Sequence, residues 1–97
     1  MARIAFKNGD IRENGQILGR LHDDVIRNNV GAVLCRTRND EIRNNAGTLI
    51  GKVKDGVVRS PTGMRLGNVK DYMIDGMEHE KDVNIVAAYH FLVKKFF

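Results

Sequence analysis

Apolar positions recur along most of this chain with a period of about sixteen residues, a repeat of a small supersecondary unit. The clearest copy runs from Asp40 to Asp55, DEIRNNAGTLIGKVKD. An aliphatic residue precedes Arg, a short polar turn ends in Gly, and an aliphatic stands three residues further on. A small residue comes next, then a polar-aliphatic-polar run closes on Asp or Asn. The aliphatic-Arg steps are Ile11-Arg12, Ile26-Arg27, Ile42-Arg43 and Val58-Arg59, and the turn glycines are Gly15, Gly31, Gly47 and Gly63.

Each unit predicts two short strands. Strand side chains alternate between faces, so the aliphatic residue faces in and the following Arg faces out. The second strands begin at Ile17, Val33, Leu49 and Arg65, and each carries a small residue in the same place: Gly19, Cys35, Gly51 and Gly67. Glycine weakens a strand, so its recurrence predicts a close backbone approach, with neighbouring hairpins crowding toward an axis. Residues 2–7 predict an opening strand with Ile4 and Phe6 on one face. Asn8-Gly9 and Asp55-Gly56 predict tight two-residue hairpins.

A fifth unit starts at Tyr72-Met73-Ile74-Asp75 and stops after its first strand, with Asp75 in the arginine place. Phe6-Lys7-Asn8 aligns with Val69-Lys70-Asp71 and supplies the missing half. The expected fold is therefore mainly β: a closed, pseudo-five-fold ring of short hairpins, in which meeting termini leave no exposed sheet edge.

The period changes near the C-terminus. Within a single domain of 97 residues, 1–76 read as hairpin repeats, 77–82 as a polar linker and 83–97 as one amphipathic helix, with Asp82 suited to cap it. Ile85, Tyr89, Leu92 and Phe96 fall on one side, flanked by Val86, Val93 and Phe97, while Asn84, Ala87, Ala88, Lys94 and Lys95 lie opposite. Tyr89, Phe91, Phe96 and Phe97 give this segment most of the chain's aromatic bulk. A ring of thin aliphatic hairpins cannot fill its own middle, and the helix is expected to do so.

These features resemble the five-fold beta-flower proteins, a small bacterial repeat family. The family unit is similar to Ile42-Arg43, Gly47, Ile50-Gly51, Val53 and Asp55-Gly56. Its Ala-Ala segment with a Phe-rich end is matched by Ala87-Ala88-Tyr89-His90-Phe91 through Phe96-Phe97. The resemblance covers about residues 9–97. It implies a flower of hairpins with an associated C-terminal helix and implies no activity. Cys35 in a glycine place, Asp75 in an arginine place and the absence of a leader peptide depart from that pattern.

Charge adds a mild bias. Lys and Arg total 16 against 12 Asp and Glu, a net +4, which permits an acidic partner. The single cysteine excludes an intrachain disulfide, and no Cys/His spacing reads as a zinc site. The N-terminal stretch lacks the apolar core of a signal peptide, which predicts a cytoplasmic protein as the sequence stands and an extracytoplasmic one if a leader was removed. No apolar run is long enough to span a bilayer.

Candidate chemistry centres on Arg12, Arg27, Arg43 and Arg59. Set radially, their guanidinium groups form a partial ring suited to phosphate, carboxylate or a polyanion. The competing reading is that each pairs with a turn carboxylate or is simply solvated. No aromatic residue interleaves with them, which argues against a nucleic-acid surface that stacks bases. Cys35 beside Arg36 reads as a replacement in a small-residue slot rather than a nucleophile. Glu78-His79-Glu80 reads as a solvated linker rather than a metal site, His90 as a core-edge histidine, and the Asp/Asn turns as hairpin chemistry rather than calcium ligands.

No catalytic set, cofactor motif or metal site emerges. The expectation is a non-enzymatic structural or protein-interaction module, self-associating or bound to another protein, with Ile85, Tyr89, Leu92 and Phe96 as its helix-packing or interaction residues. The alternative is anion or polyanion binding through the repeat arginines. Attachment to a membrane surface through Phe91, Phe96, Phe97, Lys94 and Lys95 requires an undocked helix.

Overall fold

The structure, a computed structural model, describes residues 3–97. Ala2, expected at the start of the first strand, lies outside them. The sixteen-residue period becomes a nine-stranded antiparallel meander in simple sequence order. Its strands are β1 (Ile4–Lys7), β2 (Asp10–Glu13), β3 (Gln16–His22), β4 (Val25–Asn28), β5 (Val33–Arg38), β6 (Glu41–Asn44), β7 (Leu49–Lys54), β8 (Val57–Arg59) and β9 (Arg65–Asn68).

Two kinds of turn alternate. Three of the tight ones place consecutive residues at positive φ: Asn8 and Gly9 at 53° and 86°, Asp23 and Asp24 at 51° and 62°, Asp55 and Gly56 at 54° and 76°; in the fourth only Asn39 does so, at 54°. That conformation matches the right-handed twist of the flanking strands. The turns between them follow a register shift at every aliphatic-Arg step, Ile11/Arg12, Ile26/Arg27, Ile42/Arg43 and Val58/Arg59; the first is the two-residue Asn14-Gly15, at φ 51° and 87°, and the other three are longer. Such bulges bend a strand and raise its twist. Adjacent hairpins are also stitched together. The amides of Leu21, Thr37, Val53 and Val69 donate to the carbonyls of Gly9, Asp24, Asp40 and Gly56 at 2.9, 2.9, 2.8 and 2.9 Å. A sheet bent and stitched once per unit coils around whatever fills it.

The filling is the C-terminal segment. Helix α1 (Asp82–Ala88) packs on β5, β6, β7 and a 3₁₀ turn at Val69–Tyr72, and the chain that follows it packs on β3. Ile11, Ile26, Ile42 and Val58, the aliphatics before each arginine, are fully buried, and Ile74 joins them at the fifth place.

Four expectations are corrected. The helix does not run from 83 to 97. It widens into a π-helical turn at Tyr89–Val93 and ends where Lys94 becomes extended at φ −154°. The ending has a local cause: His90 Nδ1 accepts the amides of Phe96 at 3.0 Å and Phe97 at 3.3 Å, which turns the tail back on itself. Nor does α1 have a solvent side. Asn84, Ala87 and Ala88 are buried like their neighbours, because the sheet curls around the helix and the 69–72 segment covers it. The segment 77–82 is not wholly polar linker, since Met77 is completely buried in the core.

The fourth correction concerns closure. The ladder is open: no strand pairing joins β1 to β9. The fifth unit's first strand, expected at Tyr72–Asp75, is not formed. Val69–Tyr72 coils as a 3₁₀ turn, held where Asp71 Oδ2 accepts the Asn68 amide at 3.1 Å. Among the described residues the two ends of the repeat region are joined by a single parallel bridge between Ala5 and Asp75, where the Phe6 amide donates to the Asp75 carbonyl at 2.7 Å.

Candidate functional site

The repeat arginines occupy equivalent places in successive hairpins, and their turns determine how they are held. Arg12, Arg27, Arg43 and Arg59 each donate through Nη1 to the carbonyl of the turn glycine, Gly15, Gly31, Gly47 or Gly63, at 3.1, 2.9, 3.0 and 3.0 Å. Each guanidinium thus braces its own turn while its other nitrogens remain at an exposed surface. The asparagine turns add their own bonds: Asn28 Oδ1 accepts from Val30 and Ala32, and Asn44 Oδ1 from Ala46 and Thr48, all at 3.0 Å. Asp75 is exposed in the fifth place and contributes its carbonyl to the bridge with Phe6.

Strand register adds cations that the arginine set did not include. Arg27 lies directly opposite Arg20, Arg43 opposite Arg36, and Arg59 opposite Lys52. Directly opposed residues share a face, and all six of these side chains are exposed. Asp10 reaches Arg12 at 3.4 Å and Arg20 at 3.1 Å, and Glu41 reaches Arg43 at 3.1 Å. Among the described residues, Arg27, Arg36, Lys52 and Arg59 have no carboxylate within 4.0 Å. Arg20, Arg36 and Lys52 stand directly after the small residue of the first three units, where the fourth has Asn68, so the signal was in the repeat. Only the register showed what they face.

The inward small residues serve the C-terminal segment. A Cβ added to Gly51 would come within 2.3 Å of the Phe97 ring. One added to Gly19 would meet Leu92 at 2.6 Å and the Arg27 carbonyl at 2.3 Å, and one on Gly67 would meet the Tyr72 hydroxyl at 3.0 Å. Gly51 and Gly67 are therefore sockets for aromatic side chains. Gly19 combines a socket with the expected close backbone approach. Ile85 is buried, while Tyr89, Leu92 and Phe96 are half-buried against the same core. Tyr72 stacks on Phe96 with ring centres 4.2 Å apart and meets Tyr89 edge-on at 5.2 Å.

Other candidates are occupied structurally. Cys35 is fully buried, and burial pushes its thiol up to about 12, which removes the thiolate a nucleophile needs. His90 is held below its ordinary value by burial and then by Lys95, and its Nδ1 is engaged by the tail. Asp24 accepts from Asn84 Nδ2 at 2.9 Å and Lys81 Nζ at 3.0 Å, contacts that hold its carboxyl below the usual range. Thr37 Oγ1 donates to Asn84 Oδ1 and completes this tie between helix and sheet. Among the described residues no group of three His, Cys, Asp or Glu side chains is arranged to hold a metal, and no helix is long and apolar enough to cross a membrane.

A cleft of about 460 Å³ lies at the seam of the sheet between Arg3, Ile4, Ile74, Asp75, Tyr89 and Val93. It brings no nucleophile and general base together. No family model matches the chain, and no curated protein and no solved structure matches it either.

Proposed function

We propose that this protein is a non-enzymatic interaction module that binds an anionic partner through the outer face of its sheet. The observation that carries the reading is the row of like-charged cross-strand pairs, Arg20/Arg27, Arg36/Arg43 and Lys52/Arg59. Like charges directly opposite one another destabilise a sheet. Three in succession are a cost that an anionic partner would offset: among the described residues four of the six cations have no carboxylate within 4.0 Å, although Glu41 stands opposite Lys52 across the ladder.

The helix supports this reading from the other side. It is used to fill its own sheet, which leaves the outer strand face as the broad exposed surface. We also infer a pseudo-five-fold plan behind that surface, with Ile74 as the fifth core aliphatic and the Ala5–Asp75 bridge bringing the ends together. That plan agrees with the resemblance to the beta-flower proteins.

The test is fluorescence anisotropy against labelled anionic polymers. Binding that weakens with salt and falls in the Arg27→Ala/Arg43→Ala double variant supports the reading. Absence of binding to every anionic polymer at low ionic strength overturns it.

A further inference from the structure

Resting on the anionic-partner reading, we propose that the partner is a flexible, unbranched phosphate polymer without bases or sugars, lying across the hairpins and engaging them one pair at a time. The strands coil around the helix, so their outer face is the convex one. A flat anionic bilayer touches a convex face at one place, whereas a flexible chain can follow it. The cations recur once per hairpin, from Arg20/Arg27 through Arg36/Arg43 to Lys52/Arg59. Neighbouring strands stand about 4.8 Å apart, so successive pairs are separated by about 10 Å.

The side-chain chemistry narrows the polymer. Five of the six cations are arginines, whose planar forks suit the oxygens of phosphate. Arg27 and Arg59 each engage one terminal nitrogen at a turn carbonyl, which fixes the direction in which the remaining donors point. Nucleic acids and sulfated glycans also present rings, and recognition of bases commonly uses aromatic stacking. Strands β2 to β9 carry no Phe, Tyr or Trp at all. The face offers charge and geometry to a chain of phosphates and no aromatic platform for a ring.

A triphosphate reaches one pair, and a long chain reaches all three. The measurement is binding of tripolyphosphate and of long-chain inorganic polyphosphate to the intact protein, by calorimetry at fixed salt. Long chains are expected to bind about 100-fold more tightly or better, the gain that linked sites provide. Arg36→Gln/Lys52→Gln tests the face without disturbing the turns, which are braced by Arg27, Arg43 and Arg59, and among the described residues neither Arg36 nor Lys52 has an ion pair within 4.0 Å. This variant removes two of the like-charge pairs, so it should melt no lower than the parent, and it should lose most of the length dependence.

Equal affinity for short and long chains overturns the proposal and leaves the anionic-partner reading standing. So does tighter binding to heparin, single-stranded RNA, polyglutamate or phosphatidylserine vesicles than to polyphosphate. Failure of every anion to bind removes both.

Discussion

The ring of Phe97 lies over Gly51, so that a Cβ on that glycine would stand 2.3 Å from both Cε1 and Cζ of the ring. The contact joins the end of the chain to the middle of β7. Gly51→Ala should gain some strand propensity, worth about 0.5–1 kcal/mol. It should lose more by forcing the ring out of its seat, since overpacking a core costs about 1–3 kcal/mol. Net destabilisation is expected in urea denaturation. Adding Phe97→Ala should cost less in the Gly51→Ala background than in the parent, because the two residues share one space.

The tail should also respond to pH through His90. Its folded-state value lies below the ordinary 6.5, so the folded protein favours the neutral ring. The associated stability is fully present above pH 6.5 and is lost as pH falls through the depressed folded value. Protonation of Nδ1 removes the acceptor used by Phe96 and Phe97. Lys95, the nearby cation, opposes that protonation. His90→Gln supplies an oxygen acceptor that does not titrate. It should show a flatter stability profile below pH 6.5 than the parent, measured by denaturant midpoints. A profile of the same slope would argue against the latch.

Asn84 should be the most costly polar residue to remove. It is 2% exposed and lies between Asp24 and Thr37. Asn84→Ala leaves the buried Thr37 hydroxyl with only its longer bond to the Asp24 carbonyl, at 3.4 Å, takes a donor from the Asp24 carboxylate, and is expected to cost about 1–3 kcal/mol. The Asp24 carboxyl should shift up toward its ordinary 3.8 in an NMR titration, because its bond to Asn84 is the largest cause of its lowering. With that value depressed, Asp24 contributes stability above pH 3.8 that is lost as pH falls through the folded value, and the variant should lose less on acidification.

Cys35 should be inert in the native protein. It is fully buried, with its thiol pushed up to about 12. Modification by an aromatic disulfide reagent should proceed only as fast as the protein opens, and should become rapid in urea. Rapid labelling of the folded protein would contradict its placement.

Much of this architecture was legible because it is local. Ile11, Ile26, Ile42 and Val58 announced an inward face, and Asn8-Gly9 and Asp55-Gly56 announced tight turns that the structure forms with both residues at positive φ. The bracing of Gly15, Gly31, Gly47 and Gly63 by the preceding arginines joins residues only three or four places apart. It was nevertheless missed, since spacing alone does not say that a bulge turns the guanidinium toward its own loop.

The sequence by itself determined the repeat, the alternation of inward aliphatic and outward arginine, and the need for apolar filling at the C-terminus. Those properties depend on strand periodicity and on the chemistry of adjacent residues. Tertiary structure decided which cations face one another, which glycines receive Phe97 and Tyr72, and that Asn84 points into a core rather than into solvent. It also decided that the ends meet at one bridge instead of along a ladder. Each of these outcomes depends on how far the bulges bend the sheet around the helix, a geometry accumulated over every hairpin and encoded in no single one.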